Sequence, residues 1–163
     1  MSTRLRAATS EDIPLIASLA EKIWRVHYTP IIGEKQVNYM LEKMYSQKSL
    51  AEQLQNGQDF FLAELNEKPI GYISISGKDG NYFLHKFYLS IEEQGKGLGK
   101  LFFDELISLF PGMKTLRLQV NRMNYKTINF YFKAGFTIEE AKDFDIGEGF
   151  SMDDYVMIWQ NKA

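Results

Sequence analysis

Apolar residues along the chain either alternate with polar ones or recur every three to four positions, and the two periods divide it into strands and helices. Residues 4–8 read as a first strand. Ile16, Leu19, Ala20, Ile23 and Trp24 form the apolar stripe of a helix over residues 10–27, with Ser10 as its cap and Asp12 and Pro14 in its first turn. Residues 28–33 read as a connector rich in aromatic and apolar side chains, and residues 34–45 as a second helix. A third helix starts at Ser46 or Ser49 and ends near Asn56 and Gly57. Strands are expected over 60–64, 70–76 and 82–90, joined by turns at 66–69 and 78–81.

The second half alternates between the two periods. It gives a helix over 98–110, a strand from 115 built on Leu116, Leu118 and Val120, and a helix over 124–134. Asn124 is expected to cap that last helix, and Gly135 to close it. A strand from Phe136 and a last strand over 154–160 complete the chain. The order is β–α–α–(α)–β–β–β–α–β–α–β–β. It predicts an α+β domain with antiparallel hairpins and one parallel crossover between the fourth and fifth strands.

Composition narrows the class. At 163 residues the chain is expected to form one domain with a real core, and its 45% apolar and 25% charged residues are ordinary for a globular protein. No apolar run approaches a membrane span, and the N-terminal residues lack the apolar core of a signal peptide, so no membrane association is expected. With no cysteine there is no disulfide, zinc-thiolate site or cysteine nucleophile, which fits a cytoplasmic protein. The net charge of −2 gives nucleic-acid binding no electrostatic support. No metal site is expected.

The candidate chemistry begins at Gln94-Gly95-Lys96-Gly97-Leu98-Gly99-Lys100, between the strand 82–90 and the helix 98–110. Three alternate glycines allow a sharp turn, and the helix start offers unpaired N–H groups that favour phosphate. Lys96 and Lys100 add full charges. A Walker loop is excluded because Leu101 follows Gly99-Lys100 where Ser or Thr would hold Mg²⁺. A dinucleotide fingerprint is excluded by the glycine spacing and by Gln119, which stands where the ribose-binding acid belongs.

What fits is Q/R-x-x-G-x-G/A, read as Gln94, Gly97 and Gly99. It resembles the pyrophosphate loop of the GCN5-related N-acetyltransferases, the GNAT family. A second block supports the resemblance: Asn124, Thr127, Tyr131, Gly135 and Phe136 are similar to the family's N-x-x-A-x-x-x-Y-x-x-x-G-F, with Thr127 in place of Ala. Asn124 and Tyr131, seven residues apart, fall on nearly one helix face about 10 Å apart along the axis.

The resemblance implies the acyl-CoA N-acyltransferase fold, a mixed central sheet of six to seven strands flanked by about four helices. In that fold the fourth and fifth strands splay apart around the thioester arm. It implies acetyl-CoA as co-substrate, held by residues 94–100, and a backbone N–H on the strand Phe87-Tyr88-Leu89 facing the oxyanion, with Leu89 preferred. Asn124 is implied as the contact to the pantetheine arm, and Tyr131 as the acid that protonates the leaving thiolate. Relatives often carry a Glu base on the fourth strand; here Phe83 and His85 occupy that stretch. The base is therefore His85 or a water relay, with His27 a weaker choice. The alternating Tyr82, Leu84 and Lys86 read as core and edge.

By the same resemblance the acceptor pocket draws on Trp24, His27, Tyr28 and Ile31 and on residues 144–155. Residues 139–154 hold seven acids against one base, Lys142, a local balance of −6 that suits a cationic amine through Asp153 and Asp154. The stretch 145–155 resembles that of bacterial relatives of polyamine acetyltransferases. The acceptor is thus an amine of a small molecule, polyamine-like first, or of a peptide, and the family often forms homodimers. The competing readings are a catalytically idle CoA-binding module on the same fold and a nucleotide-binding domain using the glycine loop.

Overall fold

A computed structural model of the chain describes residues 2–162. They form two compact units: residues up to Ser76 with Lys86–Pro111, and Gly77–His85 with the residues from Gly112 onward.

The first unit begins with β1 (Thr3–Ala7), followed by three helices, α1 (Ile13–Ile32), α2 (Glu34–Tyr45) and α3 (Gln47–Gln55). Strand β2 (Asp59–Leu65) pairs antiparallel with β1, Thr3 opposite Leu65, and with β3 (Lys68–Lys78) across a bulge at Ala63 and Glu64. From Ile70 to Ile75 every residue of β3 is buried, as expected of a central strand covered on both faces. The unit also contains the end of β4 (Asn81–Leu89) and α4 (Leu98–Leu109).

Two expectations fail at α1. Ser10 is not its cap: residues Ser10–Asp12 form a 3₁₀ turn, which Thr9 caps in a reciprocal box with Asp12. The expected connector 28–33 is mostly helix, because α1 runs through Pro30 to Ile32 before Gly33 ends it with φ 85°. Pro30 removes only the bond to the carbonyl of Val26, a residue exposed to water, and Tyr28 is buried like the rest of the stripe. Ser46, not Ser49, caps α3, its hydroxyl accepting from the N–H of Ser49 at 3.2 Å.

The second unit holds the first half of β4, β5 (Thr115–Asn121), α5 (Tyr125–Lys133), β6 (Thr137–Gly147) and β7 (Phe150–Gln160). Strand β5 pairs antiparallel with β7 along its full length, Thr115 opposite Gln160 and Asn121 opposite Asp154. Strands β4 and β5 are parallel, as expected, but their pairing covers only Asn81–Phe83 against Thr115–Arg117 although both strands run further. The sheet has seven strands in the order β1-β2-β3-β4-β5-β7-β6. With its five helices, this is the α+β layout expected from the sequence.

Candidate active site

In the first unit, β4 ends at Leu89 and a 3₁₀ turn, Ile91–Glu93, leads into the glycine segment. Gln94 anchors that segment, its Nε2 donating to the carbonyl of Leu89 at 3.1 Å. Gly95 and Gly97 both have φ 78°, and a Cβ on either would meet nothing within 4 Å, so backbone conformation and not crowding demands glycine there. Gly99 differs from the sequence expectation: it lies in the first turn of α4 and takes no part in the left-handed turn. Gly97 is the cap residue of α4, no side chain caps the helix, and no acid lies in its first turn. Its first N–H groups thus face outward beside open glycines, a fit for phosphate. Lys96 and Lys100 are exposed and ion-paired with Glu93 at 3.2 Å and Asp104 at 2.8 Å, loose surface pairs that an anion can displace.

The same unit gathers Trp24 and Tyr28, expected on the acceptor side, and Tyr88, expected at the cofactor, into one cluster with Tyr45 and Tyr72. The Trp24 ring lies 4.3 Å from Tyr28, 5.4 Å from Tyr45 and 5.8 Å from Tyr88, and Tyr72 lies 5.5 Å from Tyr88. His27 packs edge-on against Tyr28. The Tyr28 and Tyr88 hydroxyls are 3.1 Å apart. Trp24 Nε1 and the hydroxyls of Tyr45 and Tyr72 are enclosed and meet no partner among the described residues in hydrogen-bond geometry. Burial, first, pushes both phenols well above their usual range. Gly71 of β3 permits this packing, since a Cβ there would strike the carbonyl of Tyr88.

Lys86, on the face read as core and edge, lies in the core. It is 4% exposed, with Nζ donating to Gln53 Oε1 at 2.6 Å and Gln58 Oε1 at 3.4 Å, and lying over the rings of Tyr45 and Phe60. Loss of hydration lowers its ammonium to about 8. Simple alternation hides it. The sequence signal is a lysine in step with buried Leu84 and half-buried Tyr88 on one strand.

In the second unit Tyr131 is buried on α5, packed edge-on to Phe130 and Phe136 at 5.3 and 5.2 Å. Asn124 stands at the cap position of α5, but its side chain makes no cap bond, contrary to expectation. The side chain is instead 3% exposed, and its Nδ2 has no partner among the described residues. Asn121 Oδ1 holds the turn by accepting from the N–H of Met123 at 2.9 Å. His85 is half-buried, its ring 4.9 Å from Phe83.

The two hairpin acids separate, because neighbouring strand residues face opposite ways. Asp153 is exposed and accepts from Ser151 Oγ at 3.0 Å. Asp154 is 2% exposed, and its Oδ2 has no partner among the described residues. Burial raises its carboxyl to about 6, with Arg122 opposing the shift and Asp153 adding to it. Two other acids of the hairpin are engaged: Glu139 with Arg117 at 2.8 Å, and Asp143 with Arg122 at 2.7 Å.

Comparison with known proteins agrees with this arrangement. Residues 28–153 match the model of the acetyltransferase (GNAT) domain. A spermidine N(1)-acetyltransferase of Thermoplasma acidophilum is 28% identical over 152 residues, covering 89% of this chain and 94% of its own. The crystal structure of PaiA N-acetyltransferase from Thermoplasma acidophilum in complex with coenzyme A superposes with a TM-score of 0.79 at 26% identity, over 99% of this chain and 100% of that one. A GCN5-related N-acetyltransferase structure from Rhodopseudomonas palustris has a TM-score of 0.82 at 19% identity, over 99% and 97% of the two chains, a likeness of fold. With the family model spanning both the glycine loop and the Asn124–Tyr131 block, the chain belongs to the GNAT acetyltransferases.

Proposed function

We propose that this protein transfers the acetyl group of acetyl-CoA to a primary amine of a small molecule, polyamines first. The observation that carries the reading is the start of α4: two left-handed glycines with open space at their Cβ positions, uncapped N–H groups and no acid in the first turn. Such an end receives a pyrophosphate without steric or electrostatic opposition. Residues 94–100 are the proposed phosphate cradle and Leu89 the proposed N–H facing the oxyanion. Asn124 is the proposed amide contact for the pantetheine arm, consistent with its unpartnered Nδ2. Tyr131 is the proposed proton donor to the thiolate, a phenol being protonated at neutral pH.

The polyamine preference is supported by the Thermoplasma relative named a spermidine N(1)-acetyltransferase and by the acidic hairpin. Trp24, His27 and Tyr28 are the proposed acceptor-side contacts. The test is CoA release from acetyl-CoA with polyamines, amino acids, aminoglycosides and peptide N-termini. Highest kcat/KM for a polyamine is expected. Preference for a peptide or amino acid would overturn the substrate class, and no release with any amine would overturn the enzyme reading.

A further inference from the structure

Strand β5 ends at Asn121, and two buried polar groups flank that residue. On one side Asp154 is its antiparallel partner on β7. On the other, the N–H of Asn124 donates to the Asn121 carbonyl at 3.0 Å. Asp154 Oδ2 is an acceptor lacking a donor; Asn124 Nδ2 is a donor lacking an acceptor. They are complementary, yet they do not meet each other. A buried polar atom left unpaired destabilises a fold, and two at one strand end suit the polar groups of a ligand. The group facing Asn124 must accept, as an amide carbonyl does. The group facing Asp154 must donate, and an ammonium donates and carries the matching charge. Asp154 Oδ2 is enclosed, which leaves Oδ1 as the oxygen an incoming group can reach.

We propose that Asp154 is the catalytic base, taking a proton from the ammonium of the acceptor through its carboxylate. This rests on the acetyltransfer reading above and assigns the role left open between His85 and water. The charged groups around it are Arg122, whose Nε donates to the Asp154 backbone carbonyl at 3.1 Å, Asp153 beside it, and on β6 Lys142 opposite it and Asp143. Arg122 spends Nη2 on Asp143 at 2.7 Å, and Lys142 lies over the Phe144 ring. No described residue forms an ion pair with the carboxylate. A carboxyl raised to about 6 is ionised at neutral pH and more basic than a surface aspartate.

One proton passes from the ammonium to Asp154. The freed nitrogen pair forms the C–N bond at the thioester carbonyl carbon, and the C=O pair moves onto oxygen. Collapse restores C=O, breaks C–S and releases the second nitrogen proton. The thiolate gains one proton, Asp154 returns its own to water, and one proton leaves per acetyl group.

The test is the pH dependence of kcat with saturating spermidine in wild type, Asp154→Asn and His85→Gln, with acetyl-CoA affinity measured by calorimetry. Wild type should lose activity below pH 6 as one group protonates. Asp154→Asn should lower kcat about 100-fold and lack that limb, with acetyl-CoA affinity unchanged, while His85→Gln keeps the limb. A higher KM at unchanged kcat in Asp154→Asn would make the residue an anchor and overturn the role as base. Loss of the limb in His85→Gln would overturn it in favour of the histidine. If Asp154→Asn does not fold, ¹³C NMR of aspartate-labelled wild type decides: a carboxyl titrating at the midpoint of the kcat limb supports the role, and none there overturns it. Transfer by wild type with an unaffected Asp154→Asn sinks only this proposal; no transfer to any amine sinks both.

Discussion

Each unit of the molecule buries one charge that forms no ion pair among the described residues, and the two charges are handled differently. Lys86 in the first unit has its protons taken by the side-chain carbonyls of Gln53 and Gln58 and by two aromatic faces. Asp154 in the second has an oxygen with no partner among the described residues. Loss of hydration is the leading cause in both, lowering the lysine to about 8 and raising the aspartate to about 6. A satisfied buried ion is a structural element, whereas an acceptor with no donor among the described residues can take a ligand's donor. A pKa shift alone does not distinguish the two cases, whereas the hydrogen bonds do.

The largest expected effect tests the shared cause. Lys86 has a folded pKa below the usual 10.5 of a lysine, so the unfolded chain binds more protons between pH 8 and 10.5. Stability should therefore rise by about 3 kcal/mol across that window, and Lys86→Met should abolish the rise in urea unfolding. Asp154 has a folded pKa above the usual 3.8 of an aspartate, so the folded chain binds more protons between pH 4 and 6. Stability should fall by about 3 kcal/mol as pH rises through that window, and Asp154→Asn should remove the fall. Flat profiles in wild type would erase both buried charges from the comparison.

A slightly smaller effect separates chemistry from binding. Tyr131→Phe keeps the ring packed on Phe130 and Phe136 and deletes the proton donor. A kcat reduced about 100-fold, ~2.7 kcal/mol, with acetyl-CoA affinity retained, is expected in steady-state assays. The converse holds in the first unit, where Gly97→Asp puts a carboxylate and a strained φ of 78° at the start of α4. Calorimetry should register acetyl-CoA binding weakened about thirtyfold, ~2 kcal/mol, with the fold intact by circular dichroism. Should Tyr131→Phe weaken affinity instead, or Gly97→Asp leave it untouched, this division between the units fails. The smallest effect is Asp153→Asn, which removes an exposed charge. KM for spermidine should rise about twofold at low salt and not at all in 0.5 M NaCl.

The glycine loop was legible because left-handed backbone leaves a mark in sequence: Gly95 and Gly97 sit where φ is positive. The third glycine was over-read, since Gly99 is an ordinary helical residue. Periodicity gave all seven strands and the parallel crossover. It stopped α1 too early because Pro30 is a breaker in general and harmless in a last turn with a hydrated carbonyl behind it. Site residues were legible as types and not as directions. Asn124 read as a cap because asparagine caps often, and only the fold shows its side chain turned inward. Asp153 and Asp154 read as a pair, and the pleat of β7 sends one to water and one to the interior. Lys86 was passed over because a lone lysine in a strand normally marks an edge.

The chain has two tryptophans, and they fall one to each unit: Trp24 within its ring of tyrosines, and Trp159 on β7 against the open side of Gly135. Each unit therefore carries its own optical reporter. Tyrosine excitation should reach Trp24 efficiently through neighbours within 6 Å, and that transfer should vanish when the first unit opens, whatever Trp159 does. Paired single-tryptophan variants, Trp24→Phe and Trp159→Phe, would time the opening of the two halves independently and reveal whether this enzyme unfolds as one cooperative body or as two.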